Sequence, residues 1–211
     1  MKTSSAKKNI LKKIKQALET PVPLPFEDAT ANQKFFLNNN NDLEILFAEN
    51  FSGLQGRFAF CENEKELIEQ LKTLFAARQW TKIFINESSL KEIIKKENLQ
   101  INTQTGLAEC DASITSCECL IARTGSIVLS STQNGRTPSV YAPVHICIAY
   151  TNQLVFDLKD GIELIKSKYP AGFPSLITFA SGPSRTADIE KTLVTGVHGP
   201  KEVFCFLVQS A

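Results

Sequence analysis

Residues 57–98 read RFAFCENEKELIEQLKTLFAARQWTKIFINESSLKEIIKKEN, and this stretch decides the fold class. Arg57–Cys61 is a short strand by composition. Glu64–Gln79 follows with Leu67, Ile68, Leu71, Leu74 and Phe75 on one face, the spacing of an amphipathic helix. Lys82–Asn86 is a strand around Ile83, Phe84 and Ile85, and Ser88 stands where a helix running to about Asn98 needs a cap. Strand, helix, strand, helix in this order predicts a parallel sheet covered by helices.

Further along, Glu118–Ala122 and Ser126–Ser131 are apolar runs separated by Thr124 and Gly125. Asn134-Gly135 is a turn signal, and Val144–Tyr150 is a buried strand by composition. This section reads as sheet turning back on itself, so the sheet is expected to be mixed. Alternation resumes with a helix near Leu158–Lys168, a strand at Leu176–Phe179, a helix near Ala187–Val194 and a last strand at Val203–Val208. Toward the N-terminus, residues 7–19 predict a helix with Ile10, Leu11, Ile14 and Leu18 on one side and Lys12, Lys13 and Lys15 on the other. Pro21, Pro23 and Pro25 end it, an Asn run from Asn38 to Asn41 follows, and a second helix is expected from about Asp42 to Phe51. The organisation read from this is an N-terminal helical arm and linker, residues 1–50, and an α/β domain, residues 51–211.

The chain has 211 residues, 43 % of them hydrophobic and 21 % charged, enough to bury a core. A formal net charge of +1 supplies no global field for nucleic acid or an anionic membrane. No apolar run reaches the roughly 20 residues of a membrane span, and the lysine-rich start lacks the apolar core of a secretory signal. A cytoplasmic location is the expectation. The six cysteines then read as reduced thiols, several of them in strand-like runs. Cys110, Cys117 and Cys119 lack metal-ligand spacing. There is no GxGxxG, Walker A or nucleophile-elbow motif, so neither a metal nor a cofactor is expected.

Three clusters carry possible chemistry. The first, Ser181 to Glu190, follows an apolar strand and is expected to open a helix. Gly182-Pro183 makes a tight turn, Ser184 or Thr186 can cap, Arg185 can grip a carboxylate or phosphate, and Asp188 complements the helix dipole. A plain capped helix explains the same residues. The second is Thr195 to Pro200, where His198 lies between glycines on a loop. It suits proton transfer, and equally a turn whose His bonds only backbone. The third is Ala122 to Ser126, where Thr124, Gly125 and Ser126 allow a ligand close to the backbone or make a tight strand-to-strand turn. Arg136 is a further polar point, and His145 sits inside an apolar strand, as a satisfied core histidine would.

Taken together and in order, ILKKIKQAL at 10–18, ITSCECLIARTGS at 114–126, PVHI at 143–146, GPSRTADIE at 182–190 and GVHGP at 196–200 resemble the LUD domain family of the lactate-utilisation protein C (LutC, YkgG) type. The resemblance implies a Rossmann-like mixed sheet covered by helices, of the NagB/RpiA/CoA-transferase-like group. It implies a part in oxidising L-lactate to pyruvate beside LutA-like and LutB-like iron–sulfur partner proteins. A small carboxylate or other anionic ligand would be held by Gly182, Ser184, Arg185, Thr186, Asp188 and Arg136, with Thr124, Gly125 and Ser126 as the opposite wall. His198 would move the proton. Relatives commonly carry an acidic residue just before the Thr-Gly pair; this chain has Arg123, and Glu118, the nearby carboxylate, is the second catalytic candidate beside His198. Two rival readings remain: a non-catalytic assembly subunit, and by fold analogy a CoA-ester, sugar-phosphate or folate enzyme. A homodimer is left open.

Overall fold

The structure, a computed structural model, describes residues 5–19, 42–97, 99, 101, 102, 105–189 and 192–210. The chain divides into two compact units, Met1–Asn39 and Asn40–Ala211. The first contributes one described helix, α1 (Ser5–Glu19). The proline-spaced stretch Pro21–Pro25 and the run Asn38–Asn41 lie outside the described residues.

The second unit is an α/β body. It begins with α2 (Leu43–Gly53), so residues read as the end of the arm carry Phe47 and Phe51 into its core. Next come β1 (Arg57–Cys61), α3 (Glu64–Arg78), β2 (Ile83–Ile85), α4 (Ser88–Lys96) and β3 (Ala112–Thr115). β4 (Cys119–Ile121), β5 (Ser126–Ser130), a short helix α5 (Pro138–Tyr141), β6 (Val144–Tyr150), β7 (Leu154–Val155) and α6 (Leu158–Lys168) follow. The chain closes with β8 (Ile177–Ala180), β9 (Arg185–Ile189), β10 (Thr192–Thr195) and β11 (Glu202–Val208).

The central sheet has five strands in the order β1-β11-β6-β3-β2, all parallel. The mixed character expected of the sheet resides in a second one, β7-β4-β5-β8, whose β4–β5 and β5–β8 pairs are antiparallel. Alternation along the strands builds two cores. Ile146, Ile148, Phe204 and Phe206 face Leu67, Leu71, Phe75 and Leu90 of α3 and α4. Cys147, Ala149, Cys205 and Leu207 face Phe47, Phe51, Leu120 and Ile127. A third cluster packs Ile165 of α6 on Cys119, Ile121 and Val128. Helices, parallel sheet, second sheet and α6 therefore form successive layers. A parallel strand buried on both faces must be apolar nearly throughout, which is why β6 reads VHICIAY.

Local signals set the element ends. The Asn63 side chain accepts from the Glu66 N–H at 3.0 Å and starts α3, and Gln79 ends it in the left-handed region at φ 55°. α6 opens with a capping box: Asp157 accepts from the Leu158 N–H at 2.6 Å, and Asp160 accepts from the Asp157 N–H at 2.9 Å. No described helix is long and apolar enough to cross a membrane.

One element corrects the sequence reading. The stretch near Ala187–Val194 is not a helix. β9 and β10 pair antiparallel there, with Arg185 opposite Thr195 and Thr186 opposite Val194. Thr186, Ile189, Thr192, Val194 and Thr195 are β-branched, which favours strand over helix. The Gly196 N–H donates to the Ser184 carbonyl at 2.8 Å and closes the hairpin base.

Candidate functional site

Ligands of parallel α/β sheets sit beyond the carboxyl ends of the strands. Here β2 runs into Glu87, β3 into Ser116 and β6 ends at Tyr150, and these residues line a cleft of about 530 Å³. Gln133 and Gln153 complete its polar side; Leu90 and Ile93 of α4 give it an apolar wall.

Glu87 precedes the first turn of α4, but its side chain does not cap the helix. It turns instead toward the loops after β3 and β5. Its Oε1 accepts from the Ser116 N–H at 2.9 Å and the Asn134 amide at 3.0 Å, and its Oε2 accepts from the Ser116 hydroxyl. These donors hold the carboxylate, and none of the ion pairs among the described residues reaches it. Ser88, expected from the sequence as the cap, is the first helical residue, and both Ser88 and Ser89 are exposed at the cleft. The opening N–H groups of α4 have no intrahelical acceptor, so this end presents free donors and the positive end of the helix dipole.

Behind the cleft lies a second carboxylate. Glu118 has a fully buried side chain. It accepts from the Ser130 hydroxyl at 2.5 Å, from Tyr169 at 2.7 Å and from the Lys168 ammonium at 2.6 Å. Burial works against the charged Lys168, but its hydrogen bond to Glu118 and the negative charge of that carboxylate, with smaller contributions from Tyr169 and Cys117, together leave its pKa raised. Burial and the same carboxylate also push the Tyr169 phenol up. Gln133 links the two systems: its carbonyl accepts from Lys168 at 2.8 Å and its amide donates to the Ser116 hydroxyl at 2.6 Å. At the cleft edge, burial and Glu64 push the Tyr150 phenol up to about 12, so it stays a neutral donor.

The residues singled out from the sequence fall into separate groups. Glu118 belongs to the buried network and is not among the residues lining the cleft. Thr124, Gly125 and Ser126 enter β5, where hydroxyls form a row: Thr124 to Ser126 at 2.7 Å and Ser126 to Ser181 at 2.7 Å. Gly182, at φ +85°, lies so close to α2 that a Cβ would sit 2.3 Å from the Leu54 carbonyl oxygen. Ser184 is joined by backbone to Pro200 at 2.9 Å, so the hairpin brings the first two sequence clusters side by side. Arg185, Thr186 and Asp188 lie in β9, so no helix N-terminus stands there to grip an anion. Arg136 donates to Ser175 at 2.9 Å. His198 lines a different pocket, of about 410 Å³, with Tyr141, Pro143 and Lys201 at the amino ends of β6 and β11. Periodicity could not find Glu87, Ser116, Gln133, Gln153 or Lys168; the available signal was their position just after strands or at a helix end.

Arg123 does not open onto the cleft. It binds Asp157 at 2.7 Å and so ties the cap of α6 to β4. The Arg123 guanidinium holds the Asp157 carboxyl below its ordinary value, against burial. A lowered folded pKa means the contribution is present above the unfolded value of about 3.9 and is lost as pH falls below it. Asp157→Ala is expected to cost about 2 kcal/mol at neutral pH by removing cap and pair together. Asp157→Asn should recover the cap part only, which urea unfolding of the two variants measures.

A model of the LUD domain matches residues 45–208. The chain belongs to the LUD domain family. The match covers both sheets, the cleft and the buried network. Among relatives, the Lactate utilization protein C of Deinococcus radiodurans is 36% identical over 104 residues, 48% of this chain and 48% of that protein. That of Halalkalibacterium halodurans is 29% identical over 157 residues, 68% of each chain. An uncharacterized protein of Neisseria meningitidis serogroup B is 38% identical over 97 residues, 44% of this chain and 40% of its own. The chain thus spans about half the length, or less, of the first relatives it matches. A crystal structure of a DUF162 family protein from Deinococcus radiodurans superposes with a TM-score of 0.58 at 18% identity, over 82% of this chain and 99% of that one. At that identity it speaks for the LUD fold alone.

Proposed function

We propose that this LUD protein serves in L-lactate utilisation, as a LutC-like subunit beside iron–sulfur partner proteins, and that its carboxyl-end cleft holds the hydroxy acid. The resemblance to proteins named for lactate utilisation supports the pathway. One observation carries the ligand class: an uncapped helix N-terminus and an anchored carboxylate share one small cleft. The ligand carboxylate accepts from the opening N–H groups of α4 and the Ser88 and Ser89 hydroxyls. The ligand hydroxyl donates to the remaining lone pair of Glu87. The methyl group rests against Leu90 and Ile93. Oxidation to pyruvate breaks the O–H and Cα–H bonds and releases two electrons and two protons: Glu87 is placed to take the hydroxyl proton, and the Cα hydrogen with the two electrons passes to the redox centres of the iron–sulfur partners. The role of Glu118, in this reading, is to hold Lys168 and through it Gln133, rather than to touch the ligand.

Thermal unfolding with L-lactate and with propionate, which lacks the hydroxyl, tests this. At about 100 times its Kd a ligand adds about 2.7 kcal/mol of stability. L-lactate should stabilise more than propionate, and Glu87→Gln should remove the difference. A stabilisation that survives Glu87→Gln but is lost in His198→Ala would move the ligand to the second pocket. No stabilisation by any small carboxylate would favour the non-catalytic assembly role.

A further inference from the structure

Helix α1 belongs to the first unit of the chain, not to the α/β body. Its Ile10, Leu11 and Ile14 are 59%, 54% and 50% exposed, although they form one stripe at helical spacing. Lys7, Lys8, Lys12, Lys13 and Lys15 are all exposed around that stripe, and Glu19 is the only acidic residue of the helix. The chain as a whole carries only +1, so this positive charge is concentrated locally.

We propose that α1 lies in the surface of an anionic lipid bilayer, with the Ile10, Leu11 and Ile14 stripe among the acyl chains and the lysines on the headgroups. The area argues for lipid over protein. A stable protein interface takes about 800 Å² from each side. A stripe of three aliphatic side chains falls short of that by itself. A lipid surface needs no shape match, and each lysine near it adds its own attraction. Long lysine stems also let the charges reach the headgroups while their methylenes extend the apolar face. Such a helix rests on the bilayer and does not cross it, in keeping with its length and composition. The inference is independent of what the cleft binds. It assigns α1 to bringing the LUD domain to a membrane surface.

Flotation of the full chain with vesicles tests it. One set is phosphatidylcholine alone; the other contains about 30 % phosphatidylglycerol, which supplies the negative surface potential. Partition should be at least about tenfold stronger on the anionic vesicles and should collapse in about 1 M salt, where charge acts over only about 3 Å. The pair Lys12→Gln with Lys13→Gln should weaken it roughly 30-fold, at about 1 kcal/mol for each lysine removed. The pair Ile10→Ser with Ile14→Ser should weaken it with every lysine in place. Because these side chains are exposed, the melting temperature of the body should stay unchanged in all variants. Equal partition on both vesicle types, or anionic binding that neither pair affects, would overturn the proposal.

Discussion

Between about pH 6.5 and about pH 4 the folded protein should lose about 3 kcal/mol of stability that the variant His145→Gln keeps. His145 lies in β6 with no exposed surface. Its Nε2 is 2.8 Å from the Thr115 hydroxyl, and its Nδ1 has no partner among the described residues. Burial alone lowers its pKa from 6.5 to about 4. The folded state therefore keeps the ring neutral in this window while the unfolded chain takes up a proton. The unfolded state binds more protons, so stability falls as pH falls. The loss levels off below about pH 4, where the folded ring also protonates. Each unit of pKa difference is about 1.4 kcal/mol. Gln can still accept from or donate to Thr115 but does not titrate. Urea unfolding at neutral pH and near the bottom of the window measures the difference. The same loss in both proteins would show that another group governs acid sensitivity. The Asp157 contribution does not confuse the result, since it is lost only below about pH 4.

Gly125→Ala should cost about 3 kcal/mol or more and loosen α2 from the body. Gly125 has φ +56°, in the left-handed region, where a Cβ costs about 1–2 kcal/mol. An added Cβ would also lie 2.5 Å from the Phe51 nitrogen and 2.7 Å from the Asn50 carbonyl carbon. Both are backbone atoms of α2, so no side-chain rotation relieves the clash, and overpacking adds about 1–3 kcal/mol. The Asn50 amide donates to the carbonyls of Ala122 and Arg123 at 2.9 and 3.2 Å, which fixes α2 at this spot. Moving α2 would withdraw Phe47 and Phe51, which stack at 5.3 Å in the core beneath β4 and β5. Equilibrium unfolding reads the cost, and amide exchange in residues 43–53 reads the loosening. A cost under about 1 kcal/mol would mean that α2 yields easily and is not held by this contact. The Thr-Gly-Ser turn, weighed from the sequence as a ligand wall, has at least this structural duty.

Particular residues show how far sequence reached. The strand and helix of 57–78 were legible because Leu67, Ile68, Leu71 and Phe75 are buried at helical spacing against a strand. β6 and β11 were legible because strands buried on both faces are continuous apolar runs. The GPSRTADIE segment was misread, since a short polar stretch with one turn signal fits a capped helix or a hairpin equally. Pairing with β10 settles it as strand, and Thr195 lies ten positions beyond Arg185.

By itself the sequence determined the layered α/β architecture, the basic amphipathic helix near the N-terminus and the LUD family of the domain. Each depends on local periodicity or on contiguous motifs. Tertiary structure alone decided which polar groups share a site. Asn134 meets Glu87 across 47 positions and Lys168 meets Glu118 across 50, because the carboxyl ends of parallel strands gather loops that are remote in the chain. Burial periodicity carries no record of that convergence, since it reports which face of an element is inside and not which other loop lies next to its end.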